Sequence, residues 1–262
     1  NMNSHWQSAL NIEFLLEYLK SANIEISDLS SSNYSAYMGM ELGELTGFHF
    51  SQGKTDSDNK KLALFECIER LSSRNVVGKL ALKENTLPTL SLNDLGFSWI
   101  SIRQKDSSLK YTIGKSAITG EKYKIPASVV YYGAGIHDCC STLGSSNGCA
   151  VGESVLSAKY SALVEYVERD AFLKYWIYNP KGIIEIIPKL IFNNNYLSTY
   201  LRDLSIDADF FLINDNPLYV VWCVLREKGE NSVMFSMSGL AASFDIKKAE
   251  MHAFNEAISA WS

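Results

Sequence analysis

Glu165-Tyr166-Val167-Glu168-Arg169 reads E-x-x-E-R, and Glu66-Cys67-Ile68-Glu69-Arg70 carries the same pattern 99 positions earlier. Residues three apart on a helix share a face, so each copy aims two carboxylates one way with a guanidinium beside them. Two like charges held that close are unfavourable unless a cation lies between them. Two such pairs can hold hard cations through oxygen ligands, and magnesium with bound phosphate is a common use of such a donor set. A single E-x-x-E-R is most simply a solvated helix face. The duplication argues against that simpler reading.

The surroundings of the second copy argue the same way. Residues 141–152, Ser-Thr-Leu-Gly-Ser-Ser-Asn-Gly-Cys-Ala-Val-Gly, form a small-residue loop ahead of a helix expected from about Val155 to Tyr178. A loop entering a helix N-terminus offers backbone N–H groups and a positive dipole to an anion. Ser154 is placed to be the N-cap. The loop is no Walker A motif, because Gly53-Lys54-Thr55 lacks its upstream glycine, and no GxGxxG occurs. On the second helix Leu156, Tyr160, Leu163 and Val167 recur at helical spacing and predict the core stripe. Ser154, Ala158, Ser161, Glu165, Glu168 and Arg169 then face away from it. On the first helix, expected over 59–72, Leu64, Ile68 and Leu71 predict the apolar stripe, with Glu66, Glu69 and Arg70 off it.

Elsewhere the pattern predicts a helix over 9–20, a polar loop over 30–35, and strands joined by turns over 98–130, including Val129-Val130-Tyr131-Tyr132. Ile183–Ile187, Phe210–Ile213, Tyr219–Leu225 and Val233–Ser238 read as strands, and Ile246–Trp261 as a helix. The class is therefore α/β (α+β). The last helix runs out without a C-cap signal, which suggests a longer natural protein.

The chain has 262 residues, 47% hydrophobic and 20% charged, enough for one large domain. A net charge of -5 argues against a general nucleic-acid binder. No apolar run reaches the roughly 18 residues a spanning helix needs, and the start Asn1-Met2-Asn3-Ser4-His5-Trp6 lacks the regions of a signal peptide. Five cysteines, at 67, 139, 140, 149 and 223, form no disulfide framework and suit a reducing cytoplasm. Cys139-Cys140 beside His137 has no second ligand pair at zinc spacing and reads as free thiols. Nothing in the sequence marks a histidine partner for a cysteine nucleophile.

Ser146-Asn147-Gly148-Cys149-Ala150-Val151-Gly152-Glu153-Ser154, then Ala158 and Glu165-x-x-Glu168-Arg169-Asp170-Ala171, resembles the central block of YcaO-domain proteins. Gln52-Gly53-Lys54 and Glu66-x-x-Glu69-Arg70-Leu71-Ser72 resemble the family's first block. Gly239, Asp245, Ala249, Ala253 and Glu256 resemble its third, so the likeness spans about 46–262. It implies a single duplicated YcaO-like domain, with pseudo-repeats at about 46–135 and 136–262 and sheet-and-helix halves around a nucleotide site. It implies an enzyme that uses ATP and magnesium to phosphorylate a peptide-bond oxygen, giving azoline rings or, in other members, thioamides or amidines.

Carried over by position, Glu66, Glu69, Glu165, Glu168 and Glu256 are implied as magnesium ligands. Arg70, Ala150, Glu153, Ser154, Ser161 and Arg169 are implied as nucleotide or phosphate contacts. No catalytic residue is assigned, since the nucleophile belongs to the substrate. The implied partners are a precursor peptide, a separate protein that grips its leader, and a second copy of the chain in a homodimer, in the cytoplasm, with no nucleic acid and no membrane. The chain departs from the family's pattern at Leu62, where a serine is expected, at Gly152-Glu153-Ser154 in place of Gly-Asn-Thr, and at Ser259 and Trp261 in place of Gln and Arg. It also lacks the proline-rich tail, and its C-terminal part is expected to be missing. Those departures carry a second reading, a YcaO-like scaffold subunit without catalysis. A third is an unrelated carboxylate-activating ligase with a chance acidic repeat.

Overall fold

The computed structural model describes residues 12–21, 24–29, 33–38, 45–48, 56–74, 86–96, 110–131, 145–178, 183–214, 217–228 and 236–261. In chain order these form α1 (Ile12–Ser21), β1 (Ile24–Leu29), β2 (Asn33–Met38), β3 (Leu45–Phe48), α2 (Asp56–Arg74), β4 (Tyr111–Lys115), β5 (Lys122–Pro126) and α3 (Ala127–Val130). They continue with α4 (Val155–Tyr178), β6 (Ile184–Ile186), α5 (Lys189–Phe192), α6 (Asn195–Asp203), β7 (Ile206–Asn214), β8 (Tyr219–Glu227), β9 (Ser236–Ser243) and α7 (Ile246–Trp261). The chain divides into two compact units, residues 1–67 with 150–262, and residues 68–149.

The smaller unit contains a β4–β5 hairpin in which Tyr111 pairs with Pro126 and Lys115 with Lys122. Its turn needs a left-handed residue, supplied by Gly120 at φ +76°. Ala127, Tyr131 and Leu92 are buried in this unit, and the Thr112 hydroxyl meets the Tyr131 hydroxyl at 3.3 Å.

In the larger unit β1, β2 and β3 form an antiparallel meander, with a register shift between Ile26 and Asp28. A second antiparallel sheet runs β6-β7-β8-β9, which leaves β9 at an edge. Strand alternation sorts β8 onto two faces. Val221, Cys223 and Leu225 join Phe210, Phe254, Ala253, Ala257 and Ile258 in the core beneath α7. Val220 and Trp222 turn the other way and pack with Leu240, Ala242 and the α4 residues Val164, Val167, Ala171 and Phe172. The sheet therefore lies between α4 and α7. Burying those side chains contributes about 1.5–3 kcal/mol for each large one.

Two backbone details make the α7 contact close. A Cβ at Gly239 would run into the Ala253 carbonyl oxygen and the Ala257 amide of α7, so only glycine lets helix and strand meet there. Asp245 caps α7, accepting from the Lys247 amide at 3.0 Å.

The structure corrects several expectations. Leu156, Tyr160 and Leu163 are 78%, 52% and 63% exposed, and of that stripe only Val167 packs on the sheet. The acidic face is the one that turns inward, with Glu168 buried. The reason is that α4 carries apolar residues nearly all round, Val155, Tyr166, Leu173, Trp176 and Ile177 among them, so periodicity does not select a face. On α2 the buried residues include Ala63, Leu64 and Cys67, with Ile68 part-buried.

Val129-Val130 close the short helix α3 instead of opening a strand, because the chain turns directly after Pro126, whose ring suits a helix start. Residues 33–35 belong to β2, not to a loop, since Tyr34 and Ser35 pair on both sides. β9 (Ser236–Ser243) runs beyond the expected end at Ser238, because small residues suffice where a helix lies close above them, and the expected strand residues 233–235 lie outside the described residues. The expectations for 98–109 and 132–144, including His137 and Cys139-Cys140, and for Gln52-Gly53-Lys54 lie outside the described residues. α4 and α7 match their expected bounds.

Candidate functional site

The site is assembled on the edge of β9 that has no partner strand among the described residues. Leu240 and Ala242 point their N–H groups away from β8, and an edge amide needs a partner. Two glutamates supply it from opposite faces of the sheet. Glu256 of α7 accepts from the Leu240 amide through Oε2 at 2.8 Å, and Glu168 of α4 accepts from the Ala242 amide through Oε2 at 3.0 Å. Each carboxylate is thereby fixed at one oxygen and keeps the other for a second contact.

Those second oxygens, with Glu165 one turn back on α4, meet at Arg169. Its Nε lies 3.6 Å from Glu168 Oε1 and 3.9 Å from Glu165 Oε1, and a terminal nitrogen lies 3.8 Å from Glu256 Oε1. All three exceed the 2.7–2.9 Å of a charge-assisted hydrogen bond. The Nε is buried and has no hydrogen-bond partner. Glu168 carries the largest electrostatic strain. Burial, then the neighbouring Glu256 charge, push its carboxyl up to about 8, against the pull of Arg169 and the Ala242 amide. Burial also raises Glu256, opposed by the Leu240 amide and Arg169. Like-charge repulsion was the expected cause; for Glu168 desolvation comes first.

The other implied residues divide into two groups. Ala150, Glu153 and Ser154 cluster at the start of α4, behind a turn in which Gly148 takes φ +78°. Ser154 is an N-cap: its hydroxyl accepts from the Ser157 amide at 3.1 Å, while the Ser157 hydroxyl accepts from the Ser154 amide at 3.0 Å. Gly152 has no room for a Cβ against Ser157 and the Ala158 amide, so the loop lies tight on the helix. Ser161 is exposed on α4, between that loop and Glu165. Glu66, Glu69 and Arg70 lie on one stretch of α2, each part-buried; Glu66 belongs to the larger unit, Glu69 and Arg70 to the smaller.

Two of the departures have local explanations. Glu153 pairs with Lys61 of α2 at 3.1 Å, and that ammonium also lies 5.6 Å from the centre of the Phe65 ring. Trp261 packs against the core under α7, and the Ser259 hydroxyl bonds back to the Asn255 carbonyl at 2.8 Å. Lys61 and the Leu240 and Ala242 amides escaped sequence reading. The amides carry no side-chain signature, and the one hint of them was Gly239. Cys223 is buried with its thiol pushed up, which removes it as a nucleophile.

Among the described residues, no group of three or more His, Cys, Asp or Glu side chains is drawn together at metal-binding distances. The donor types nevertheless suit magnesium: three carboxylates each place an oxygen within 4 Å of the Arg169 guanidinium, two near its Nε and one near a terminal nitrogen, and the Nε there lacks a hydrogen bond. No helix among the described residues is long and apolar enough to cross a membrane.

Comparison with known proteins agrees. No curated protein matches the sequence. By structure the chain is similar to YcaO from Methanopyrus kandleri bound with AMPPCP and Mg2+, at 18% identity and TM-score 0.64, over 94% of this chain and 66% of that one. It is similar to a heterocyclase in complex with substrate and cofactor, at 16% identity and TM-score 0.64, over 94% of this chain and 40% of the other. It is also similar to the E. coli microcin synthetase McbBCD complex, at 17% identity and TM-score 0.62, over 91% and 63%. The chain thus spans at most about two thirds of the length of these structures, and they establish its mixed helix-and-antiparallel-sheet fold. The family described as YcaO cyclodehydratase, ATP- and Mg2+-binding, matches residues 50–261, which removes the reading of a chance repeat on an unrelated fold; the chain belongs to the YcaO family.

Proposed function

We propose that this chain is the YcaO part of an enzyme that uses ATP and Mg2+ to activate a peptide backbone amide, forming azoline rings in a ribosomally made precursor peptide. The observation that carries the reading is the gathering of Glu165, Glu168 and Glu256 around the Arg169 guanidinium at the β9 edge. Glu165, Glu168 and Glu256 would hold Mg2+, joined by Glu66 and Glu69 of α2. The Ser146–Ser154 turn and the start of α4, with Ala150, Glu153, Ser154, Ser161, Arg70 and Arg169, would bind the nucleotide. A pseudo-repeat over about 46–135 and 136–262 is part of the same proposal.

Bound there, Mg-ATP would supply an electrophilic phosphoryl group and charge neutralisation. The amide oxygen takes that phosphoryl group and ADP leaves. A Cys, Ser or Thr side chain of the substrate would add to the amide carbon and give up its S–H or O–H proton; phosphate would depart with the former amide oxygen, and loss of the amide N–H proton would leave the C=N bond of the ring. No nucleophile of the enzyme is required. The chain's own contribution is to fix carboxylates on backbone amides before the cation arrives. The remaining proposals are a separate leader-binding protein, a homodimer and a cytoplasmic location; thioamide formation from the same activated amide is the variant outcome.

The test is release of ADP and phosphate by the full-length protein with Mg-ATP, precursor peptide and partner. ADP formation that depends on the peptide is expected, and no turnover would overturn the reading. A second reading, a scaffold that has lost catalysis, is favoured by Lys61 engaging Glu153 and by Trp261 packing inward. Calorimetric titration with Mg-ATP separates them: micromolar or tighter binding supports the enzyme, and none supports the scaffold.

A further inference from the structure

We propose that the Arg169 guanidinium is an exchangeable counter-cation, holding the carboxylate cage in the cation-free protein and displaced from it when a divalent cation binds. This rests on the proposed magnesium role of the same cage.

Arg169 differs from the close ion pairs of the molecule; the Arg202–Asp203 contact is as long, at 3.7 Å, but joins two mostly exposed side chains. Lys174–Asp170, Lys228–Asp207 and Lys61–Glu153 close to 2.6, 2.8 and 3.1 Å. All three carboxylates around Arg169 stay at 3.6–3.9 Å, although one of them is the buried Glu168. A guanidinium binds carboxylates best as a flat fork with short parallel bonds. This one touches three oxygens from different directions and leaves a buried Nε–H without an acceptor, which is costly. Charge holds it there, and directed bonding does not. A compact ion with several short oxygen contacts satisfies the same three oxygens better.

Two further features make exchange feasible. The cage does not depend on Arg169 for its shape, because the Leu240 and Ala242 amides hold Glu256 and Glu168 by their other oxygens. Arg169 also has a way out, since 40% of its side chain is exposed and its stem is long. Its own helix keeps the guanidinium within reach, so it can return when the cation leaves. A guanidinium that permanently orients the glutamates would instead stay in place and cooperate with the cation.

Mn2+ binding, read by the electron paramagnetic resonance of the free ion, tests this on the full-length protein and on Arg169→Ala. The exchange predicts that the variant binds Mn2+ about tenfold or more tightly than the parent, and that methylguanidinium, refilling the cage, weakens that binding competitively. Binding in the variant that is no tighter, or that ignores methylguanidinium, would overturn the proposal. If neither protein binds Mn2+, the magnesium reading of the cage fails with it. Hydrogen exchange at the Arg169 Nε–H in the unmutated protein, assigned by the signal lost in Arg169→Lys, gives a check that needs no folded alanine variant. It is slow without cation and becomes fast on saturation with Mg2+; an unchanged rate contradicts displacement.

Discussion

Glu168 is held by two opposing demands. Its burial favours a neutral carboxyl, while its amide contact and Arg169 favour the charge. The folded carboxyl titrates at about 8, and the unfolded one near its ordinary 4.5. Folding therefore takes up a proton between those values. The associated stability is fully present below pH 4.5 and is lost as pH rises through 8. A shift of that size corresponds to something on the order of 5 kcal/mol. Thermal melts without divalent cation should show the parent falling steeply between pH 5 and 8. Glu168→Gln, which mimics the protonated form, should remove most of that slope and melt higher at pH 8. A variant with the parent's slope would show that Glu168 is not the buried acid. The residue types of this site were readable because carboxylates at helical spacing have few uses. Which oxygen each glutamate would commit to the sheet was not, because a backbone amide looks the same in every residue.

At the scale of elements, the cage depends on α7 and β9 staying in register and in contact. Gly239→Ala forces a methyl into the α7 backbone and should cost about 1–3 kcal/mol of stability. Since Glu256 lies on the helix that must move, Mg-ATP affinity should fall together with the melting temperature. Asp245→Ala removes only the α7 cap and should cost about 1 kcal/mol, with little change in affinity. Paired melting and titration of the two variants checks the distinction; equal effects on affinity would show that helix stability, not the Gly239 contact, sets the site. The bounds of α4 and α7 were legible because each is a long uninterrupted run. The buried face of α4 was misread because Leu156, Tyr160 and Leu163 form a regular stripe that stays exposed, while the inward face carries Glu168. A buried carboxyl anchored to a sheet edge overrides an apolar count, and only the tertiary partner reveals it.

At the scale of the molecule, the sheet presents β9 to two helices, and the family's three sequence blocks contribute in different ways. The second and third meet at the β9 edge through Glu168 and Glu256. The first reaches the start of α4 through Lys61 and Glu153. Lys61→Ala should free Glu153 at the nucleotide loop and weaken ATP binding by no more than a few-fold, as a partly exposed pair is worth about 0–1 kcal/mol. A loss beyond tenfold would mean that Lys61 contacts the nucleotide itself. Sequence reading did not find this link, because Lys61 and Glu153 are 92 positions apart and nothing marks Lys61 as the partner of Glu153.

The acidic cage at the β9 edge is the proposed Mg-ATP site. Calorimetric titration of Mg-ATP into the full-length protein, Glu168→Gln and Glu256→Gln tests it most directly, with cation-free melting curves to show that each variant is folded. Charge-assisted contacts of about 1.5–3 kcal/mol each predict that either substitution weakens binding by at least tenfold without lowering the cation-free melting temperature at pH 8. Parent-like affinity in both folded variants would contradict the account and leave the cage as a cap on a sheet edge.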